Sequence, residues 1–341
     1  MAAEIISTGG VNGPGATEVE VDAADVLADT EVRDLPVPAD MHGWRIDKAL
    51  ATLVPELSRS YLQQLMAEGA VSLDGRLAAK PSARLVAGGR LRVELRPTQQ
   101  AMAFVAQSMV LDIVYEDEDL MVICKPVGLV VHPAAGNWTG TLLNGLLAHH
   151  PGAASLPRAG IVHRLDKDTS GLMLVGKTRR SVDGLVRAIA AREVQREYLA
   201  IGHGRWRRDE LCEVDQPVGR DPANRLRMAV LRQDSTAGKP ARTTFRVMDA
   251  VDQACLVACK LHTGRTHQIR VHMAWLGHPL VGDALYGGRV AWGMQRQALH
   301  AARLRLSHPV SGAELGFSSA VPADFRAALD AAGLRYNEGD L

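Results

Sequence analysis

The stretch Gly160-Ile161-Val162-His163-Arg164-Leu165-Asp166-Lys167-Asp168-Thr169-Ser170-Gly171 runs straight into the apolar segment Leu172 to Val175. Apolar residues on both sides make this a dense polar turn held between two strand-like segments, Ile161 to Arg164 and Leu172 to Val175. Flanks of this kind anchor a turn while leaving its side chains free to react. The rest of the chain must build around it. Leu111, Ile113 and Tyr115 alternate as a strand does. Leu120 to Cys124 and Gly128 to Val131 read as buried strands, and Glu197 to Ile201, Thr243 to Val247 and Leu256 to Leu261 as further strands. Thr141 to Ala148, Ser181 to Ala191 and Thr266 to Trp275 carry helical spacing. Strands and helices interleave without a βαβ rhythm, which predicts an α+β domain on a mostly antiparallel sheet over 109–329 and excludes a dinucleotide-binding fold.

The N-terminal third reads differently. Residues 1–40 hold nine acids against one base, Arg33, a balance of −8 in a chain whose net charge is +1, so the remainder is about +9. A Gly-, Ala- and acid-rich composition closed by Pro36 and Pro38 predicts a disordered tail over 1–40, and a basic body suggests a polyanion partner. Residues 43–97 form a compact module. Ile46, Ala49, Leu50 and Leu53 mark one helix; Ser58 is placed to cap a second, with Tyr61, Leu62 and Leu65 inward and Gly69 at its end. Asp74-Gly75 is a hairpin signal, and Leu91, Val93 and Leu95 alternate with Arg90, Arg92, Glu94 and Arg96 in a last strand with a basic face. This order resembles the RNA-binding module first seen in a small-subunit ribosomal protein. The resemblance assigns RNA contact to Arg45, Lys48, Arg59, Arg76 and Lys80. Residues 98–108 read as a linker and 330–341 as a C-terminal tail.

Several chemistries are excluded or weakened by spacing. Asp166-Lys167-Asp168-Thr169-Ser170-Gly171 begins like a calcium loop, but its twelfth position is Lys177, a cation. His163, Asp166 and Asp168 could ligate a metal, as could His262, His267 and His272, yet no H-E-x-x-H spacing occurs. Cys255 and Cys259 fit a buried strand better than a zinc site. Ser170 lies in no nucleophile elbow, and no phosphate loop is present. Four scattered cysteines fit a reducing compartment. No basic start followed by an apolar run opens the chain, and no apolar stretch approaches bilayer length, so a cytoplasmic protein without membrane contact is expected. The remaining candidate is the Asp166 carboxylate, oriented by a guanidinium. Arg270 sits inside the apolar segment Gln268 to Met273 and needs an acid partner. A scaffold ion pair between Asp166 and Arg270 is the competing reading.

Four ordered motifs now point to a family. They are His163-Arg164-Leu165-Asp166-Lys167-Asp168-Thr169-Ser170-Gly171; Tyr115 to Leu120 leading to Lys125-Pro126 and Gly128 to Pro133; Arg196-Glu197-Tyr198; and Thr263-Gly264-Arg265-Thr266-His267-Gln268-Ile269-Arg270-Val271-His272. With His278 to Asp283 and Tyr286-Gly287, they resemble the RluA-type pseudouridine synthases over about 45–325, and most the RluD branch, which modifies large-subunit ribosomal RNA. The resemblance implies a pseudouridine synthase catalytic domain behind the RNA-binding module, acting as a monomer without cofactor or metal on large-subunit ribosomal RNA or the assembling large subunit. It makes Asp166 the essential acid and Arg270 its partner. Tyr198 would stack on the uracil and relay a proton, and Arg164 would fill the space that an everted base vacates. A catalytically silent RNA-binding or ribosome-assembly factor is the alternative from another class, and a metal-dependent nuclease or phosphodiesterase a third.

Overall fold

A computed structural model describes residues 31–55, 59–78, 80–95, 104–134, 137–224 and 227–340. The chain divides into two compact units, Met1–Ala101 and Met102–Leu341.

In the first unit, strand β1 (Glu31–Pro36) precedes helices α1 (Ile46–Leu53) and α2 (Arg59–Ala67), followed by β2 (Val71–Leu73), β3 (Arg76–Leu77) and β4 (Arg90–Leu95). The four strands form an antiparallel sheet in the order β1-β4-β2-β3. Ile46, Leu50, Leu62, Leu65, Leu91 and Val93 fill the core between the helices and this sheet. The β2–β3 turn is made by Asp74 and Gly75, both at positive φ (50° and 75°), the left-handed pair that a tight hairpin requires. Strand β1 corrects the expected tail. Glu31 to Pro36 pair along the whole of β4, so the ordered module begins inside the acidic segment. Glu31, Arg33 and Asp34 make it polar enough to be mistaken for a tail, and only the edge offered by β4 makes it a strand. Residues 1–30, the proposed cap Ser58 and most of the expected linker lie outside the described residues.

The second unit is built on a nine-stranded sheet. Its elements in chain order are β5 (Ile113–Glu116), β6 (Leu120–Lys125), α3 (Leu142–His149), β7 (Ser170–Gly176), α4 (Arg179–Ala190), β8 (Gln195–His203), β9 (Leu211–Asp215), β10 (Val218–Arg220), β11 (Met228–Val230), β12 (Arg242–Ala250), β13 (Ala254–Leu261), α5 (Gln268–Trp275), β14 (Leu299–Ser307), β15 (Glu314–Ser318) and α6 (Ala323–Ala332). The sheet runs β5-β6-β7-β14-β8-β13-β12-β9, with β15 also on β14, while β10 and β11 form a separate hairpin. Within the nine-stranded sheet, neighbours are antiparallel except β7 and β14. That parallel contact depends on Gly171. Its φ is 110°, and a Cβ there would stand 2.2 Å from the Ala301 carbonyl oxygen. One core of the unit joins Met121, Met173, Tyr198, Val257 and Ile269 on one face of the sheet; α6 closes another with Leu199, Leu256 and Phe325.

Three sequence expectations are corrected here. Residues 128–131 form turns, not a strand: Gly128 takes a φ of 83°, and the Val130 and Val131 carbonyls accept the N–H groups of Leu142 and Leu143 at the start of α3. Residues 161–164 contribute only a single bridge, Ile161 to Val175, after a short 3-10 turn at Pro157–Gly160. The expected tail from 330 is instead continuous with the core, because α6 runs to Ala332, Gly333 ends it at a φ of 74°, and Leu334 is buried. Among the described residues, no helix is long and apolar enough to cross a membrane.

Candidate active site

The Asp166 turn is pinned from two directions. Lys125, at the end of β6, is fully buried and donates to the carbonyls of Pro126 (2.7 Å), Leu129 (2.9 Å) and Lys167 (2.9 Å). All three ammonium hydrogens are thus used, and the Gly128 N–H adds a further bond to the Lys167 carbonyl at 3.0 Å. Burial, opposed by the charges of Asp168 and Asp166, lowers the Lys125 pKa to about 8. From the other side Arg296 donates to the Asp168 carbonyl at 3.0 Å and Gln297 to the Thr169 hydroxyl at 3.2 Å. Arg296 is itself held bidentately by Asp324 at the start of α6. The turn therefore presents Asp166 on a rigid support.

Arg270 reaches that carboxylate from the first turn of α5. The helix start is fixed by Gln268, which accepts from the Arg265 N–H and the Thr263 hydroxyl and donates to the Arg242 carbonyl and the Thr243 hydroxyl. His267, just before the helix, adopts the left-handed region at a φ of 57°. Arg270 Nη1 lies 3.0 Å from Asp166 Oδ2, and Nε and Nη2 form a fork on Asp283 at 2.7 and 2.8 Å. Burial disfavours the guanidinium's charge, but Asp283 and then Asp166 outweigh it and raise its pKa above the usual value. His267 Nε2 stands 3.7 Å from Asp166 Oδ1, and its Nδ1 is 2.8 Å from the Tyr286 hydroxyl. Burial, reinforced by the positive charges of Arg270 and Arg164 and opposed by Asp166, lowers the His267 pKa.

Asp166, Arg270 and Tyr198 line one open cleft, together with the exposed Arg164 and with Leu261, Ile269 and Leu299 among its apolar walls. Tyr198 enters from β8 and is 5% exposed; burial raises its pKa. Two of the histidines weighed as ligands are engaged away from Asp166: His262 with Thr244, and His272 with Thr243 and the Gln216 carbonyl. Cys255 and Cys259 are buried on β13.

The same span carries a family likeness. Residues 119–275 match the family RNA pseudouridylate synthase, and residues 44–91 match the S4 domain. Ribosomal large subunit pseudouridine synthase D of Neisseria meningitidis is 47% identical over 309 residues, covering 87% of this chain and 81% of that protein. The protein of the same description from Nitrosomonas europaea is 45% identical over 306 residues, covering 87% of each. This chain belongs to the RNA pseudouridylate synthases. Among solved structures, human RNA pseudouridylate synthase domain containing 4 aligns with the synthase at a TM-score of 0.52 and 25% identity, over 66% of this chain and 94% of that one. The expected α+β architecture, an S4 module ahead of a mostly antiparallel catalytic sheet, is the one observed.

The remaining site expectations separate by unit. Arg45, Lys48, Arg76 and Lys80 are exposed on the S4 module, and Arg59 is the first residue of α2. Two of the five are already engaged: Arg45 pairs with the buried Asp47 at 3.0 Å, and the Lys48 ammonium sits 4.2 Å above the Trp44 ring. Sequence reasoning weighed His267 only as a metal ligand and named Asp283 and Tyr286 only within the family motifs, giving none of them a part beside Asp166. The signal that could have found Asp283 is the inward-facing Arg270, whose fork has room for two acids.

Proposed function

We propose that this synthase converts uridine to pseudouridine in large-subunit ribosomal RNA, with Asp166 as the essential carboxylate. The observation that carries this reading is the Asp166–Arg270–Asp283 array at the cleft. Asp283 fixes the guanidinium, the guanidinium fixes Asp166 through Oδ2, and the other carboxylate oxygen, Oδ1, stands 3.7 Å from His267 Nε2. The relatives' name, ribosomal large subunit pseudouridine synthase D, supports the choice of RNA.

The reaction breaks the C1′–N1 bond of the target nucleotide and forms a C1′–C5 bond. The hydrogen leaves C5 and N1 gains one, so the change is an isomerisation. A carboxylate in this position can attack the ribose carbon or remove a ribose proton, and both need it oriented at the sugar. The uracil must be everted to arrive, at a cost of about a few kcal/mol. Tyr198 offers a flat aromatic surface for the base and a hydroxyl for proton transfer from C5. Arg164, an exposed residue lining the cleft, would occupy the vacated stack. Basic residues of the S4 module, Arg45, Lys48, Arg59, Arg76 and Lys80 among them, would add phosphate contacts and salt-sensitive affinity.

The test is Asp166→Asn incubated with a large-subunit RNA transcript, reading pseudouridine formation and RNA affinity separately. Binding should persist and turnover fall to background. Pseudouridine formation at a near wild-type rate would remove Asp166 from the chemistry.

A further inference from the structure

Arg196 stands out as a buried cation without an acid. It is the second residue of β8 and is 5% exposed. Strand alternation puts it on the same sheet face as Tyr198, while Glu197 between them turns to the opposite face, 4.0 Å from Arg303. Its neighbours across the sheet are Leu261 and Leu304, both apolar. The guanidinium rests against the loop that opens α5: a Cβ on Gly264 would lie 3.1 Å from its Nη1. Its Nε is enclosed with no hydrogen-bond partner, and no described carboxylate forms an ion pair with it. Buried charges are ordinarily paired, because desolvation is otherwise uncompensated.

His163, in the Asp166 motif, adds a second orphan. Its Nε2 accepts the Leu174 N–H at 2.9 Å, so the hydrogen of the neutral ring is on Nδ1, and Nδ1 is enclosed without a partner. Burial first, and the charge of Arg196 second, lower the His163 pKa to about 3. The same Arg196 charge is felt by Tyr198. Neither residue lines the cleft, but Arg196 shares a sheet face with Tyr198 and pairs across the sheet with Leu261, and both of those do, so two unmatched donors, one of them a full positive charge, lie beside it. Donors in excess call for an acceptor from outside, and RNA brings phosphate oxygens.

We propose that Arg196 is a phosphate-binding residue whose guanidinium receives a phosphodiester flanking the everted uridine when RNA enters the cleft. This rests on the reading above that an RNA nucleotide occupies the cleft beside Asp166 and Tyr198. The bound phosphate supplies the anion that Arg196 lacks, so the contact forms only in the complex and fixes the register of the strand over Asp166. The Tyr198 face of β8 then carries both base and backbone recognition, two residues apart.

The experiment is a linkage scan with the full-length protein. A hairpin transcript of large-subunit RNA is prepared with single methylphosphonates, on 2′-deoxy sugars, at each linkage within a few nucleotides of the target uridine. Matched 2′-deoxy phosphodiesters are the controls. Wild type should lose about tenfold or more in affinity at one linkage, the size of a charge-assisted contact. Arg196→Met should bind the control RNA about as weakly as wild type binds that methylphosphonate, and should show no further loss there. Its salt dependence should also fall by about one phosphate's share, roughly 0.7 in the slope for single-stranded RNA. If the methionine variant does not fold, Arg196→Gln carries the same scan. Equal penalties for wild type and variant at every linkage would overturn the proposal, while conversion of the unmodified transcript by wild type would leave the Asp166 reading standing. No binding or conversion of that transcript by wild type would overturn both.

Discussion

Asp283→Asn tests whether Asp166, the carboxylate proposed to be catalytic, is positioned through a residue it never touches. Asp283 receives Nε and Nη2 of Arg270 at 2.7 and 2.8 Å, leaving Nη1 for Asp166 at 3.0 Å. Its side chain is 1% exposed, so water cannot replace a lost bond. An asparagine keeps the shape but sets an amide N–H₂ against a guanidinium N–H. One bond of the fork becomes a donor–donor contact and the other loses its charge. Hydrogen bonds to charged groups contribute about 1.5–3 kcal/mol each, so the variant should lose roughly 2–4 kcal/mol of stability. At about 2–4 °C per kcal/mol, the unfolding midpoint should drop by roughly 5–15 °C. A guanidinium freed on one side can swing toward Asp166 and displace it, and a misplacement of about 1 Å costs on the order of 100-fold in rate. The assay is single-turnover tritium release from RNA labelled at uridine C5, where formation of the new carbon bond expels the hydrogen. The rate should fall about 100-fold while RNA affinity changes less than about threefold, because Asp283 is sealed from the cleft. Asp283→Glu, charged but one methylene longer, should fall between. An Asp283→Asn protein that turns over within about threefold of wild type would refute the positioning role. So would a variant that loses affinity with its single-turnover rate intact.

Two further outcomes follow from buried polar groups. Burial lowers the pKa of His300 to about 4, against an ordinary value near 6.5, while the ring bridges Ser170 on β7 and the Ser319 carbonyl. The unfolded chain therefore takes up this proton first on acidification. The contribution is full above the unfolded value and is lost as pH falls toward the folded one, about 2 kcal/mol by pH 5. Urea midpoints from pH 7.5 to 5 should fall more steeply for wild type than for His300→Asn, and parallel slopes would exclude this histidine as the source. Lys125→Met strands the carbonyls of Pro126, Leu129 and Lys167, each costing about 1–3 kcal/mol, partly offset by no longer burying an ammonium. Turnover should drop sharply while RNA affinity is retained; unchanged turnover would mean that the Asp166 turn holds its shape without the lysine.

Much of the fold was legible from one-dimensional pattern because its strands are either half-buried or wholly buried. The run Leu172 to Val175 reads as a sealed strand, and β7 is buried along its whole length between β6 and β14. The module's β4 alternates basic and apolar residues and lies with Leu91 and Val93 inward. The misreadings have physical causes as well. Strand β1 carries acids and a proline and becomes a strand only because β4 offers it an edge. Val130 and Val131 look like a strand, yet Gly128 bends the backbone and their carbonyls are taken by α3. The apolar residues of 323–334 went unread as a helix, though Phe325 and Leu329 are buried within the sheet's outer core.

The site divides along the same line. Residue types and local spacing marked Asp166 as an acid in a structured turn and Arg270 as a cation among apolar neighbours, since both signals lie within a few residues of each position. Whether those two groups meet is a different matter. They are 104 residues apart, and only the sheet order, with β14 inserted between β7 and β8, brings the turn after residue 165 against the start of α5. The same folding gave Arg270 its second acid, Asp283, and left Arg196 with none among the described residues. Hydrophobic periodicity reports how much of a segment leaves water, but it carries no information about which distant segment supplies the charge on the other side.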